Sequence, residues 1–120
     1  MAEAKTYQGS CHCGAVRYEV TLSLDQPVVS CNCSICRRKG TLLSFVPAEA
    51  FKLLAGKDAV TDYQFNTRNI HHLFCATCGV TSFATGTAPN GARMVAINMR
   101  CLDDVDLKAL TITEYDGRST

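Results

Sequence analysis

The sequence is short of net charge: 12 Lys plus Arg stand against 11 Asp plus Glu in 120 residues, a formal balance of +1. Attraction to a polyanion is therefore not implied, and nucleic acid is not an expected partner. No run of about 18 apolar residues occurs, so no membrane-spanning helix is expected, and the first residues, Met1-Ala-Glu-Ala-Lys-Thr-Tyr7, show no apolar core of an export signal. Repeats, linkers and low-complexity tracts are also missing. A single domain over residues 1–120 is the expectation, and at this length it buries about two thirds of the surface of its unfolded chain.

What the sequence has in excess is cysteine, eight in all. Such a density means either a disulfide framework in a secreted chain or metal ligation in a reducing compartment. Without an export signal the second is expected, and with it a cytoplasmic location. The clustering agrees. Cys31-Asn-Cys-Ser-Ile-Cys36 places three thiols within six residues, close enough to converge on one ion. Cys11-His-Cys13 precedes a strand and is expected to run extended, with both side chains on one side and Gly14 allowing the bend that follows. Cys75-Ala-Thr-Cys-Gly79 has the spacing of a zinc knuckle, in which the glycine takes positive φ and lets backbone N–H groups face the sulfurs. No βαβ pattern surrounds it, as a thioredoxin-like redox pair would require.

The rest of the chain is punctuated as short strands. Val16, Tyr18 and Val20 alternate with Arg17 and Glu19, and Val28-Val-Ser30 delivers Cys31. Arg37-Arg-Lys-Gly40 is a polar turn beside the thiols, able to offset their charge, bind a substrate carboxylate, or simply face solvent. Residues 41–46, 60–65, 70–74, 80–85, 94–98 and 110–113 are further strand candidates, and 48–54 suits either a helical turn or a strand with Phe51 and Leu53 inward. With no convincing amphipathic helix, the expected fold is a mostly antiparallel β domain.

Setting Cys101 aside, seven thiols divide economically into four and three. Cys11, Cys13, Cys75 and Cys78 would close one tetrahedral zinc site, whose binding energy, about 10 to 16 kcal/mol for structural zinc, becomes folding energy. Cys31, Cys33 and Cys36 would hold a second zinc with a vacant corner, the arrangement of catalytic sites. Closure of that corner by Cys101, His12, His71 or His72 would instead make it structural.

The motifs carry a resemblance. Gly9-Ser-Cys-His-Cys-Gly-Ala-Val-Arg17, Cys31-x-Cys-Ser-x-Cys36, Phe74-Cys-x-x-Cys-Gly79 and Asn98-Met-Arg-Cys-Leu-Asp103 together resemble the glutathione-dependent formaldehyde-activating enzyme family, which includes centromere protein V. The resemblance implies a zinc-stapled set of β-sheets, related to type B methionine-sulfoxide reductases. It also implies a structural zinc on Cys11, Cys13, Cys75 and Cys78 and a catalytic zinc on Cys31, Cys33 and Cys36. The implied activity is carbon–sulfur lyase chemistry on glutathione–aldehyde adducts such as S-hydroxymethylglutathione, or on a related small thiol. Arg37 and Arg38 are candidate contacts for a substrate carboxylate. Two other classes stay open: a non-catalytic zinc-stabilised binding module, and a thiol redox enzyme using Cys101 with its pKa lowered by Arg100.

Overall fold

A computed structural model describes residues 4–64 and 70–116. Its strands are β1 (Lys5–Ser10), β2 (Arg17–Leu22), β3 (Val28–Cys31), β4 (Leu43–Pro47), β5 (Phe51–Ala55), β6 (Val60–Tyr63), β7 (His71–Cys75), β8 (Phe83–Thr87), β9 (Arg93–Asn98) and β10 (Ile112–Tyr115). Among the described residues one α-helical turn, α1, spans Cys36–Lys39. Two sheets result: a small one in the order β1-β2-β5 and a large one in the order β10-β3-β4-β9-β8-β7-β6. Every pairing is antiparallel except that of β10 with β3.

Alternation in β2 does what its pattern predicts. Tyr18, Val20 and Leu22 are buried while Arg17 is exposed. These side chains meet those of β9, β8 and β4, where Val95, Ile97, Phe83 and Val46 form the other half of the core. An aromatic trio joins the sheets: the Phe51 and Phe83 centroids lie 4.7 Å apart, and Tyr18 stands edge-on to Phe83 at 5.7 Å. Offset and edge-to-face pairs of this kind add to the area they bury.

Several local expectations change in the folded chain. Residues 48–54 adopt both candidate forms in succession, a 3-10 turn at Ala48–Ala50 followed by β5. Cys11 to Gly14 is not extended but turned, closed by Gly14 N–H to the Cys11 carbonyl at 3.3 Å, with Gly14 at φ 83°. Residues 80–82 precede β8 rather than belonging to it, because their carbonyls are used elsewhere: Val80 accepts from Cys75 N–H, and Ser82 from Asn98 N–H. The last strand starts two residues later than the apolar run at 110 suggests, with Leu110 buried at the end of a 3-10 turn. Phe65, assigned to the sixth strand by its pattern, lies outside the described residues.

Candidate metal centres

The fold gathers seven of the eight cysteines into two clusters. Sulfurs of Cys11, Cys13, Cys75 and Cys78 lie within 4.8 Å of one another, as do those of Cys31, Cys33 and Cys36. Cys11 and Cys13 follow β1 in the small sheet, while Cys75 ends β7 in the large one, so the four-thiol cluster spans the two sheets. Cys13 Sγ is 3.7 Å from Cys11 Sγ and 3.5 Å from Cys75 Sγ. Zn–S bonds of about 2.3 Å at tetrahedral angles require sulfurs about 3.8 Å apart, so the spacing suits a tetrahedral ion with little adjustment.

Backbone donors point at the sulfurs. Thr77 and Cys78 N–H groups donate to Cys75 Sγ at 3.4 and 3.5 Å, and Val16 N–H donates to Cys11 Sγ at 3.3 Å. Gly79, at φ 79°, makes the knuckle turn that aims them. Such donors favour the thiolate. Backbone N–H groups of Val80 and Cys13 hold Cys78 down at about 6, whereas Cys13, despite an N–H from Ala15, is pushed up to about 11 by the sulfurs of Cys75 and Cys11. Crowded thiols that cannot all ionise together are what a divalent cation resolves, because it stabilises every thiolate at once.

The three-thiol cluster sits where β3 runs into α1. Cys33 N–H donates to Cys31 Sγ at 3.4 Å and Cys36 N–H to Cys33 Sγ at 3.5 Å, the same knuckle pattern. Burial and the neighbouring sulfurs push Cys36 up to about 12. Among the described residues, no His, Cys, Asp or Glu joins these three within the same radius. His12, His71, His72 and Cys101 are all described and all lie outside the group. His71 is instead paired with Asp62 at 2.7 Å.

Beside this cluster opens a cavity of about 620 Å³. Its walls come from the end of β3, α1, the stretch before β4, the turn after β9, and β10. Because β10 is parallel to β3, and β4 and β9 are each antiparallel to their predecessor in the sheet, these strand ends all reach the same edge. Cys31, Cys36 and Arg37 line it. Arg38 does not: its Nη1 donates to the Ser34 carbonyl at 2.7 Å, tying α1 back onto the thiol loop. Arg100, Glu114 and Asp116 also line the cavity, and no motif singled them out for this place. For Glu114 and Asp116 a parallel last strand, had the sequence betrayed it, would have been the signal.

Cys101 is in neither cluster. It lies half-buried in the 3-10 turn Met99–Cys101, its thiol donating to the Thr81 carbonyl at 3.6 Å. Burial pushes this thiol up, with the Cys11 and Cys78 sulfurs adding to it, so the lowering expected from Arg100 is not what the site produces.

Two layers of β-sheet joined beside one cysteine cluster, with a second cluster open to a cavity, define a cysteine-rich β protein with two clusters that could hold metal ions. Comparison with known proteins places it more narrowly. The family model described as glutathione-dependent formaldehyde-activating enzyme matches residues 6–115, and the chain belongs to that family. A Halomonas elongata protein, provisionally described as a glutathione-dependent formaldehyde-activating enzyme, is 55% identical over 31 residues. That stretch covers 26% of this chain and only 20% of the relative's length. The crystal structure of a Rhodobacter sphaeroides protein, a structural genomics target, superposes with a TM-score of 0.76 at 31% identity, covering 88% of this chain and 99% of that one.

Proposed function

We propose that residues 1–120 form one zinc-binding domain that makes or breaks carbon–sulfur bonds in small thiol–aldehyde adducts, S-hydroxymethylglutathione being the type substrate, in the cytoplasm. The observation that supports this most is the three-thiol cluster facing a cavity with no fourth described ligand. A closed tetrahedron stabilises a fold; an incomplete one beside a small-molecule-sized cavity has room for a reactant.

Both clusters suit zinc in donor type and spacing. Cys11, Cys13, Cys75 and Cys78 would hold one ion as a staple between the sheets. Cys31, Cys33 and Cys36 would hold the second. Zinc bound there supplies a Lewis-acidic centre at which a thiol ionises near neutral pH and an adjacent oxygen is polarised. The chain's own residues prepare that place. The N–H groups of Cys33 and Cys36 share the charge on the sulfurs, and Arg38 fixes the loop that carries them. Arg37, next in sequence to Cys36 and lining the cavity, is placed to bind the carboxylate of an incoming thiol.

The redox alternative needs Cys101 as a thiolate, and its burial works against that. A scaffold role needs only the fold, and it is separated from catalysis by one experiment. Zinc per chain is measured with and without added glutathione, and lyase turnover of a glutathione–formaldehyde mixture is followed in the same preparations. Two zincs, one spectroscopically perturbed by the thiol, together with turnover that Cys33→Ser abolishes, is the expected result. Two zincs that ignore thiols would overturn the enzyme reading in favour of the scaffold.

A further inference from the structure

Asn98 ends β9 and is buried, and it opens the one sequence motif, Asn98-Met-Arg-Cys-Leu-Asp103, that contributes to neither cysteine cluster. Its carboxamide is bonded to three separate segments. Oδ1 accepts from the Arg100 N–H at 3.2 Å and from the Leu42 N–H at 3.4 Å, while Nδ2 donates to the Thr81 carbonyl at 2.8 Å. The Arg100 bond is an ordinary cap of the 3-10 turn Met99–Cys101, for which Ser, Thr or Asp would serve as well. The other two bonds are not part of a cap. An oxygen that accepts twice, with a separate donor directed elsewhere, is what a carboxamide offers.

The place of each partner gives these bonds their meaning. The loop that carries Cys33 and Cys36 leaves the large sheet at the end of β3 and returns to it at β4. Its return is fastened at Leu42, whose N–H meets Asn98 Oδ1 and whose carbonyl accepts the Met99 N–H at 2.7 Å. Leu42 and Arg100 both line the cavity beside the three sulfurs. Two of its walls, one from the metal loop and one from the turn after β9, therefore share a single acceptor atom. Thr81 lies just beyond Gly79, so Nδ2 ties the same arrangement to the exit of the four-thiol knuckle.

Resting on the thiol-lyase reading above, we infer that Asn98 is a positioning residue, whose Oδ1 sets the thiol loop against the Arg100 turn and so fixes how the three-thiol site faces the cavity. It touches neither the sulfurs nor a reactant. Its effect passes through Leu42, because the start of the loop is already held in β3 and the return limb is what remains to be placed. A shift of about 1 Å at reacting atoms costs about a hundredfold in rate, so one bond that sets the limb is enough to matter.

Two substitutions separate positioning from capping. Asn98→Ser keeps a cap for Arg100, but its hydroxyl lies one atom nearer the backbone and releases Leu42. Asn98→Asp keeps the acceptor for Leu42 and Arg100 and loses the donor to Thr81. Val20→Ala, a cavity in the buried face of β2, is the control for lost stability alone. Urea midpoints, the rate at which a chelator takes each metal, and kcat and KM for glutathione–formaldehyde adduct are measured on zinc-loaded, folded protein. Asn98→Ser is expected to speed release of the three-thiol metal about tenfold, to leave release of the other unchanged, and to lower kcat about tenfold to a hundredfold with KM moved far less. Asn98→Asp and Val20→Ala are expected to lower the urea midpoint and keep the wild-type release rate and kcat. Release and turnover that follow the urea midpoint across all three variants, or that stay at wild-type values in Asn98→Ser, overturn the inference. A second measurement needs no variant. If the Leu42 bond retains the metal, linkage makes the effect reciprocal, so removing the three-thiol metal from the wild type should speed hydrogen exchange at the Leu42 amide; exchange indifferent to that metal overturns the inference. Failure of the lyase reading looks different: no protein turns over, the wild type included, while release rates and hydrogen exchange follow the expected pattern and uphold the positioning role.

Discussion

A Cβ added to Gly9 would fall 2.5 Å from Cζ of Tyr18 and 2.6 Å from its hydroxyl oxygen. The glycine that opens the first cysteine motif is therefore explained by packing: its bare backbone is the floor on which the buried Tyr18 ring lies. Tyr18 in turn contacts Phe51 and Phe83 and donates to the Ser82 carbonyl at 3.4 Å, so one ring connects β1, β2, β5 and β8 immediately beside Cys11.

Gly9→Ala should consequently destabilise the protein by about 1–3 kcal/mol, the usual cost of overpacking. Neither the ring, buried on all sides, nor the paired strand beneath it can retreat freely. Tyr18→Phe should cost about 1 kcal/mol, through the lost hydrogen bond alone. Urea melts of zinc-loaded protein distinguish the two, and a Gly9→Ala variant as stable as the wild type would mean the ring has another place to go.

The four-thiol cluster makes a sharper claim on stability. Cys75→Ser or Cys78→Ser should give insoluble or unfolded protein, because a structural ion contributes its binding energy to folding and a broken tetrahedron forfeits it. Here the ion would bridge two sheets otherwise joined by apolar packing and a few hydrogen bonds, such as that from Tyr18 to the Ser82 carbonyl. Solubility and near-ultraviolet circular dichroism provide the readout. A folded, soluble Cys78→Ser protein retaining one metal fewer would show that the sheets hold together without the staple.

Strand order in the chain was readable where burial is one-sided. The alternation in β2 and the knuckle at Cys75 to Gly79 both follow from local rules, a period of two and a positive-φ glycine, and both appear where the pattern puts them. Grouping of the cysteines into four and three is the economical partition and what the family resemblance implies, and the folded chain clusters them so. The cavity was not readable. Glu114 and Asp116 come to it through the parallel pairing of β10 with β3, residues more than eighty positions apart, and Arg100 through the pairing of β9 with β4; nothing local in Ile112-Thr-Glu-Tyr115 marks it as a parallel strand. Arg37 and Arg38 look equivalent in sequence. One turn of helix sends the first to the cavity and the second back to Ser34.

That divergence gives a paired prediction. Arg37→Ala should leave the metal content intact and weaken an anionic thiol, while Arg38→Ala should loosen the thiol loop and speed loss of one metal to a chelator. Titration with 3-mercaptopropionate and timed metal release measure the two effects. Identical behaviour of the two variants would return both arginines to the solvent-facing role of ordinary surface charge.

Metal removal should proceed in two steps. Each ligand thiol must lose its proton before it binds, so metal affinity falls as pH falls. Each cluster has a thiol pushed up, Cys36 to about 12 and Cys13 to about 11, so the count of ligands decides: three sulfurs hold the ion at Cys36, against four in the other cluster. The three-thiol cluster should thus release its metal first, at higher pH and lower chelator concentration, with the circular dichroism unchanged. The fold should be lost only with the second metal. Atomic absorption on samples dialysed across a pH series resolves the steps, and simultaneous release of both metals would contradict the division into a staple and an open site.

Cys33→Ser tests the open site directly. The substituted residue lies in a cluster that shares no ligand with the other, so the variant should lose one metal and keep its fold. Cys33 is also the middle member of the loop, its sulfur accepting the Cys36 N–H at 3.5 Å while its own N–H donates to Cys31 Sγ at 3.4 Å. Serine keeps the N–H but replaces the thiolate with a hydroxyl that does not ionise near neutral pH, leaving two sulfurs to hold the ion. Turnover of glutathione–formaldehyde adduct should fall to the uncatalysed rate. Cys101→Ser is the control: outside both clusters, it should retain both metals and full turnover. If Cys101→Ser loses one metal, the vacant corner is filled by that thiol and the catalytic assignment falls; if Cys33→Ser turns over normally, the chemistry does not need the three-thiol site.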